Sequence, residues 1–82
     1  MFANIIAMLK QIEEDKTVPR NIRLRIEECI KNLQNEKEAV AIRVNAVTSC
    51  LDEVSNDPNI PMYTRTQIWN IVSLLEGMQK QG

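Results

Sequence analysis

Residues 15–33, DKTVPRNIRLRIEECIKNL, and residues 57–75, DPNIPMYTRTQIWNIVSLL, run in step when the chain is shifted by 42 positions. Asp15 falls on Asp57, Pro19 on Pro61, Arg23 on Arg65, Ile26 on Ile68 and Leu33 on Leu75. The register continues upstream, where Leu9 meets Leu51 and Phe2, Ile5 and Ile12 meet Val44, Val47 and Val54. Each half reads as a helix, a turn and a second helix, so the chain is two such units, one over about residues 1–36 and one over about 37–82.

The spacing of apolar residues supplies the helices. Phe2, Ile5, Leu9 and Ile12 mark one face of a helix over roughly 2–14, and Ile22, Ile26, Cys29, Ile30 and Leu33 mark one from about Pro19 to Gln34. Val40, Val44, Val47, Leu51 and Val54 step by four and three along a third, from about Glu38 to Asn56, which Pro58 must stop. A fourth opens at Pro61 and carries Thr64, Ile68, Ile71 and Leu75. Both prolines suit a first helical turn, and Asn35 and Gly77, equivalent under the shift, suit left-handed helix ends. Connections this short make chain neighbours antiparallel, and the sustained three-four spacing favours shallow bundle crossings. The expected fold is all-α, a single domain over 1–82 forming a four-helix antiparallel up-and-down bundle.

Composition narrows the function classes. The chain is 44% hydrophobic, and ten basic residues against eleven acidic ones leave a net charge of −1, too little to draw in nucleic acid or an acidic membrane by overall field. Histidine is absent, which removes the commonest general base and metal ligand, and two glycines cannot make a phosphate-cradling loop. The neighbouring carboxylates Glu13-Glu14-Asp15 and Asp52-Glu53 point about 100° apart on a helix, and the inward stripes are aliphatic. We read the chain as non-enzymatic, with no catalytic, cofactor or metal residues. The hydrophobic start, MFANIIAML, meets Lys10, Gln11, Glu13 and Glu14 as an amphipathic helix would, and no run is long enough to span a membrane, so a cytoplasmic location is expected.

Four features invite a functional reading. The paired Asp15/Arg23 and Asp57/Arg65 segments fit turns in which Asp and Arg fold toward each other, or two matched corners offered to a partner. Lys16, Arg20, Arg23 and Arg25 are the one basic concentration and are candidate phosphate contacts of an RNA or ribonucleoprotein accessory protein; Glu27 and Glu28 favour a salt-bridged face instead. Cys29 and Cys50, in a hairpin centred near Glu36, fall ~9 Å apart along the axis, too far to bridge, and read as small core residues. Trp69 stands opposite Glu27 in the repeat, so it marks either a covered surface or a packing site beneath the tail near Met78.

The strings DKTVPRNIRLRIEE (15–28) and LDEVSNDPNIPMYTRTQIWNIVSLLE (51–76) resemble an uncharacterised protein family of small archaeal helical proteins, over essentially the whole chain. That resemblance implies an all-helical cytosolic fold with no assigned activity and carries over no functional residues. The Asp, Pro, Arg punctuation is also similar to HEAT-type repeats, by analogy alone. The function expected from the residues is a small protein-interaction or self-associating module. Its surplus apolar side chains, Ile6, Leu24, Ile42 and Trp69, would cover a protein partner or a second copy.

Overall fold

A computed structural model of the chain describes residues 2–81, with side chains described through Met78. Four helices follow one another: α1 (Ala3–Glu13), α2 (Arg20–Gln34), α3 (Val40–Ser55) and α4 (Met62–Gln81). Each packs on its chain neighbour and α1 closes the ring against α4, so α1 faces α3, and α2 faces α4, only across the core. This is the up-and-down bundle, 34 × 21 × 19 Å. Every stripe residue read from the spacing points inward except Val40, which is 38% exposed at the start of α3. Leu9, Ile26, Val44, Val47, Leu51, Val54, Ile68, Ile71 and Leu75 are completely buried.

Because the helices are short, the three connections must both reverse the chain and satisfy helix-end groups that have no partner within the helix. They do so in one way. Asp15, Asn35 and Asp57 each turn Oδ1 back to accept the backbone N–H two residues on, at Thr17 (2.9 Å), Lys37 (3.2 Å) and Asn59 (2.8 Å). Four residues after each comes the residue that leads into the helix, Pro19, Ala39 or Pro61, whose carbonyl accepts an N–H from Arg23, Arg43 or Arg65. Pro19 and Ala39 are extended, with ψ of 146° and 149°. These same arginines then reach back along the connection. Their Nε atoms donate to Val18 O (3.1 Å), Glu38 O (3.0 Å) and Ser55 O (2.7 Å). Arg43 adds Nη1 to Leu33 O, and Arg65 adds Nη2 to Asp57 O, both at 3.0 Å.

Several expectations change here. The Asp and Arg side chains of a corner do not clasp each other: the carboxylate holds its own turn, while the guanidinium holds backbone carbonyls. The prolines stand just before their helices rather than in the first turn. No left-handed end occurs among the described residues, since Asn35 sits at φ −81° and ψ 90° and Gly77 lies inside α4, which runs on past it. Asn35 uses its side chain to start a turn, which removes the need for a positive φ.

One bond ties the ends of the ring together. Tyr63 Oη, at the start of α4, donates to Asp15 Oδ2 at 2.7 Å, beside the Thr17 hydroxyl, so the first corner is fastened to the third. The Thr17 hydroxyl, Tyr63 and the Thr17 N–H hold the Asp15 carboxyl below its ordinary value of 3.8. Two buried side-chain oxygens among the described residues have no hydrogen-bond partner, Gln67 Oε1 and the hydroxyl of Thr64. Thr64 occupies the place that Ile22 takes in the first half; it is fully buried and its hydroxyl has no hydrogen-bond partner.

Three outcomes follow from these contacts. Thr64→Val, which swaps an unpaired buried hydroxyl for a methyl, should raise stability by about 1 kcal/mol in urea unfolding. Arg65→Ala should cost about 1.5–3 kcal/mol, and more than Arg23→Ala, because Arg65 holds two carbonyls and Arg23 one. Equal losses would show that the second bond contributes nothing. A carboxyl with a depressed pKa stabilises the fold above its unfolded value and loses that effect as pH falls through the folded one. Asp15 should therefore titrate below 3.8 by NMR, and Tyr63→Phe should move it up toward that value and blunt the loss of stability in acid.

Candidate functional site

On α2, Arg25 and Cys29 lie one turn apart on the side facing α3; on α3, Glu53 and Cys50 do the same. Arg25 Nη2 meets Glu53 Oε2 at 2.6 Å. That pair marks the level of the two antiparallel helices, at which Cys29 stands opposite Cys50, and each thiol is the largest influence on the ionisation of the other. The expected ~9 Å offset between the cysteines is therefore wrong. A helical side chain leans toward its own N-terminus, which on α2 is away from the connection and on α3 is toward it. Residues that touch thus sum to a higher number than the midpoint of the connection suggests. Cys29 is buried, with Cys50 half-buried at its mouth and packed on the core edge.

The apolar residues expected at a partner surface fall in different places. Ile6 is half-buried on the core and lines an open groove of about 690 Å³ with Phe2, Leu33, Val40 and Arg43, whose guanidinium lies 5.5 Å from the centre of the Phe2 ring. Ile42 is exposed on α3 two residues beyond Val40, at the same end. Leu24 is exposed on α2 at the far end: the Arg25–Glu53 pair puts it beside the last turn of α3, ~18 Å along the axis from Ile42. Trp69 is 53% exposed and stands on one stripe of α4 with Met62, seven residues earlier and 68% exposed. It does not lie beneath the tail, since it stays open while Met78 packs on the core.

The four basic candidates do not form one free face. Arg23 is turned inward onto Val18 O and Arg25 is paired with Glu53. Arg20 shares a shallow depression with Glu13, Arg23, Leu24 and Glu27, and Lys16 is exposed in the first connection. Lys31, next along α2, is paired with Glu27 at 3.4 Å. Among the described residues no three or more His, Cys, Asp or Glu come together as metal ligands, and no helix is long and apolar enough to cross a membrane.

The sequence matches the model of an uncharacterised protein family, UPF0147, over residues 1–78. UPF0147 proteins of Methanothermobacter thermautotrophicus and Methanocaldococcus jannaschii are 46% identical over 79 residues and 49% identical over 72. Those alignments span 96% and 88% of this chain, and 78% and 77% of the relatives. The fold matches the crystal structure of a UPF0147 protein from Thermoplasma acidophilum with a TM-score of 0.88 at 37% identity, covering 93% of this chain and 89% of that one. It also matches the crystal structure of a protein of unknown function, MMP1188, with a TM-score of 0.87 at 48% identity, covering 92% and 85%.

Proposed function

The chain belongs to the UPF0147 family, an archaeal family with no assigned activity, and from its surface we propose a non-enzymatic, cytoplasmic helical module that binds a protein partner or a second copy of itself. The observation that carries this reading is Trp69. The bundle closes its core without it, yet the single tryptophan stands open beside Met62 on α4. An exposed indole on a stripe with a flexible thioether is the composition that interface centres favour. Leu24, Ile42 and the Ile6 groove add apolar area on other faces, so a complete assembly would use more than one surface.

The reading of helix α2 as a phosphate-binding face has less support, because Arg23 and Arg25 are already engaged within the chain. Steep loss of binding to RNA with rising salt would reinstate it.

Trp69 reports on its own role. If it lies in an interface, its fluorescence should shift to the blue as protein concentration rises, or on addition of the partner recovered with the native chain. Trp69→Lys should abolish that association while changing unfolding free energy by no more than ~0.5 kcal/mol, as an exposed substitution does. A monomer at every concentration by light scattering, together with a variant that keeps every partner of the parent chain, would overturn the assignment of this face.

A further inference from the structure

The thiol cluster between α2 and α3 is more than packing. Under the 42-residue shift its four members, Arg25, Cys29, Cys50 and Glu53, correspond to Gln67, Ile71, Met8 and Gln11, which lie on α4 and α1. The bundle thus closes the equivalent seam with two apolar and two uncharged polar residues. Neither the thiols nor the ion pair are needed to make such a seam. Below the Arg25–Glu53 bond, Cys29 lies four residues along α2 and Cys50 three residues back along α3, ~6 Å and ~4.5 Å of helical rise, so the two stand at nearly the same level across the seam. One is sealed from solvent and the other opens to it.

We propose that Cys29 and Cys50 are a reversible dithiol in which Cys50, beside the Arg25 guanidinium, attacks a hydroperoxide and Cys29 resolves the product as an intramolecular disulfide. In the first step the Cys50 thiolate attacks the terminal oxygen of ROOH. The O–O bond breaks and the alkoxide leaves, taking a proton to become ROH, while the sulfur is oxidised to a sulfenic acid. In the second step Cys29 gives up its proton and attacks the Cys50 sulfur. The S–S bond forms, the S–O bond breaks, and the departing hydroxide joins that proton as water. The sum is two thiols and ROOH giving a disulfide, ROH and water. Two equivalents of a small thiol restore the pair by exchange.

The electrostatics divide the roles. The Cys29 S–H, then the Arg25 guanidinium, stabilise the Cys50 thiolate and lower its pKa to about 6, outweighing burial and the opposing charge of Glu53. Cys29 is pushed up, first by its bond to Cys50 and then by burial, so it keeps its proton until oxidation removes the neighbouring charge. At neutral pH more of Cys50 than of an ordinary cysteine is thiolate, and the lower nucleophilicity of an acidic thiol returns part of that gain. The pH profile is therefore a sharper readout than the rate.

The test uses the reduced full-length chain and hydrogen peroxide. Intact mass should fall by two hydrogens, peptide mapping should join Cys29 to Cys50, and dithiothreitol should reverse the change. Cys29→Ser should stop at a sulfenic acid on Cys50 that dimedone traps, and Cys50→Ser should leave Cys29 unreacted. Iodoacetamide should label Cys50 first, with a half-maximal rate near pH 6 that rises in Arg25→Gln. Should a variant lose its helical circular dichroism, the wild-type mass, map and labelling profile decide alone. Disulfides only between chains, oxygen addition without a crosslink, or a labelling midpoint at the ordinary value of about 8.5 would overturn the proposal.

Discussion

The bonds from arginine to backbone carbonyls at the three connections carry the rest of this bundle. A helix of eleven to sixteen residues leaves a large share of its backbone carbonyls unpaired at its end, and a chain of this size cannot bury enough apolar area to ignore them. Arg43 and Arg65 reach across their connections to carbonyls at Leu33 and Ser55, in the last turn of the preceding helix. Each guanidinium thereby links the end of one helix to the beginning of the next, at a fixed distance and with charge-assisted bonds. Once the connections are rigid, the helices have little freedom left except rotation about their axes, and the aliphatic stripes determine that.

The stripes and the number of helices were legible in the sequence because each uses a period that only a helix explains. The corners were half legible. Asp15/Arg23 and Asp57/Arg65 stood out through their prolines, whereas Asn35, Ala39 and Arg43, which repeat the same spacings of four and eight, carry no proline and pass unnoticed. The bonds of the arginines differ from the expectation for a reason of chemistry: an Asp and an Arg eight residues apart suggest an ion pair, yet each carboxylate is engaged by the N–H of its own turn, and the guanidinium takes the part-buried carbonyls within its reach. Gly77 misled because glycine permits a left-handed end without requiring one.

The level of the cysteines was not legible, and the cause lies in side-chain direction rather than in backbone geometry. Counting residues from the midpoint of a hairpin treats side chains as perpendicular to the axis. They lean toward the helix N-terminus, in opposite senses on antiparallel neighbours, so contact falls between residues that a symmetric count separates. The Arg25–Glu53 pair would have corrected the count, since it bridges this seam beside a cysteine on each helix.

The corners also change what the 42-residue register means. From Asp15 to Asn35 is 20 positions and from Asn35 to Asp57 is 22, so the shift that superposes the halves is the sum of two successive corner spacings. A repeated corner is enough to align the two halves although the equivalent helices differ in length, α1 and α3 having 11 and 16 residues and α2 and α4 having 15 and 20. Under that constraint the informative positions are those where equivalent sites differ. Trp69 replaces Glu27 on an outer face, and Thr64 replaces Ile22 in the core. Cys29 and Cys50 take the places of Ile71 and Met8 at an inner seam. Each exchange gives up charge pairing, apolar packing or chemical inertness that the other half shows the fold can have. Such exchanges are where selection for something other than folding has room to act, and those at Trp69 and at the two cysteines coincide with the open face and the thiol seam.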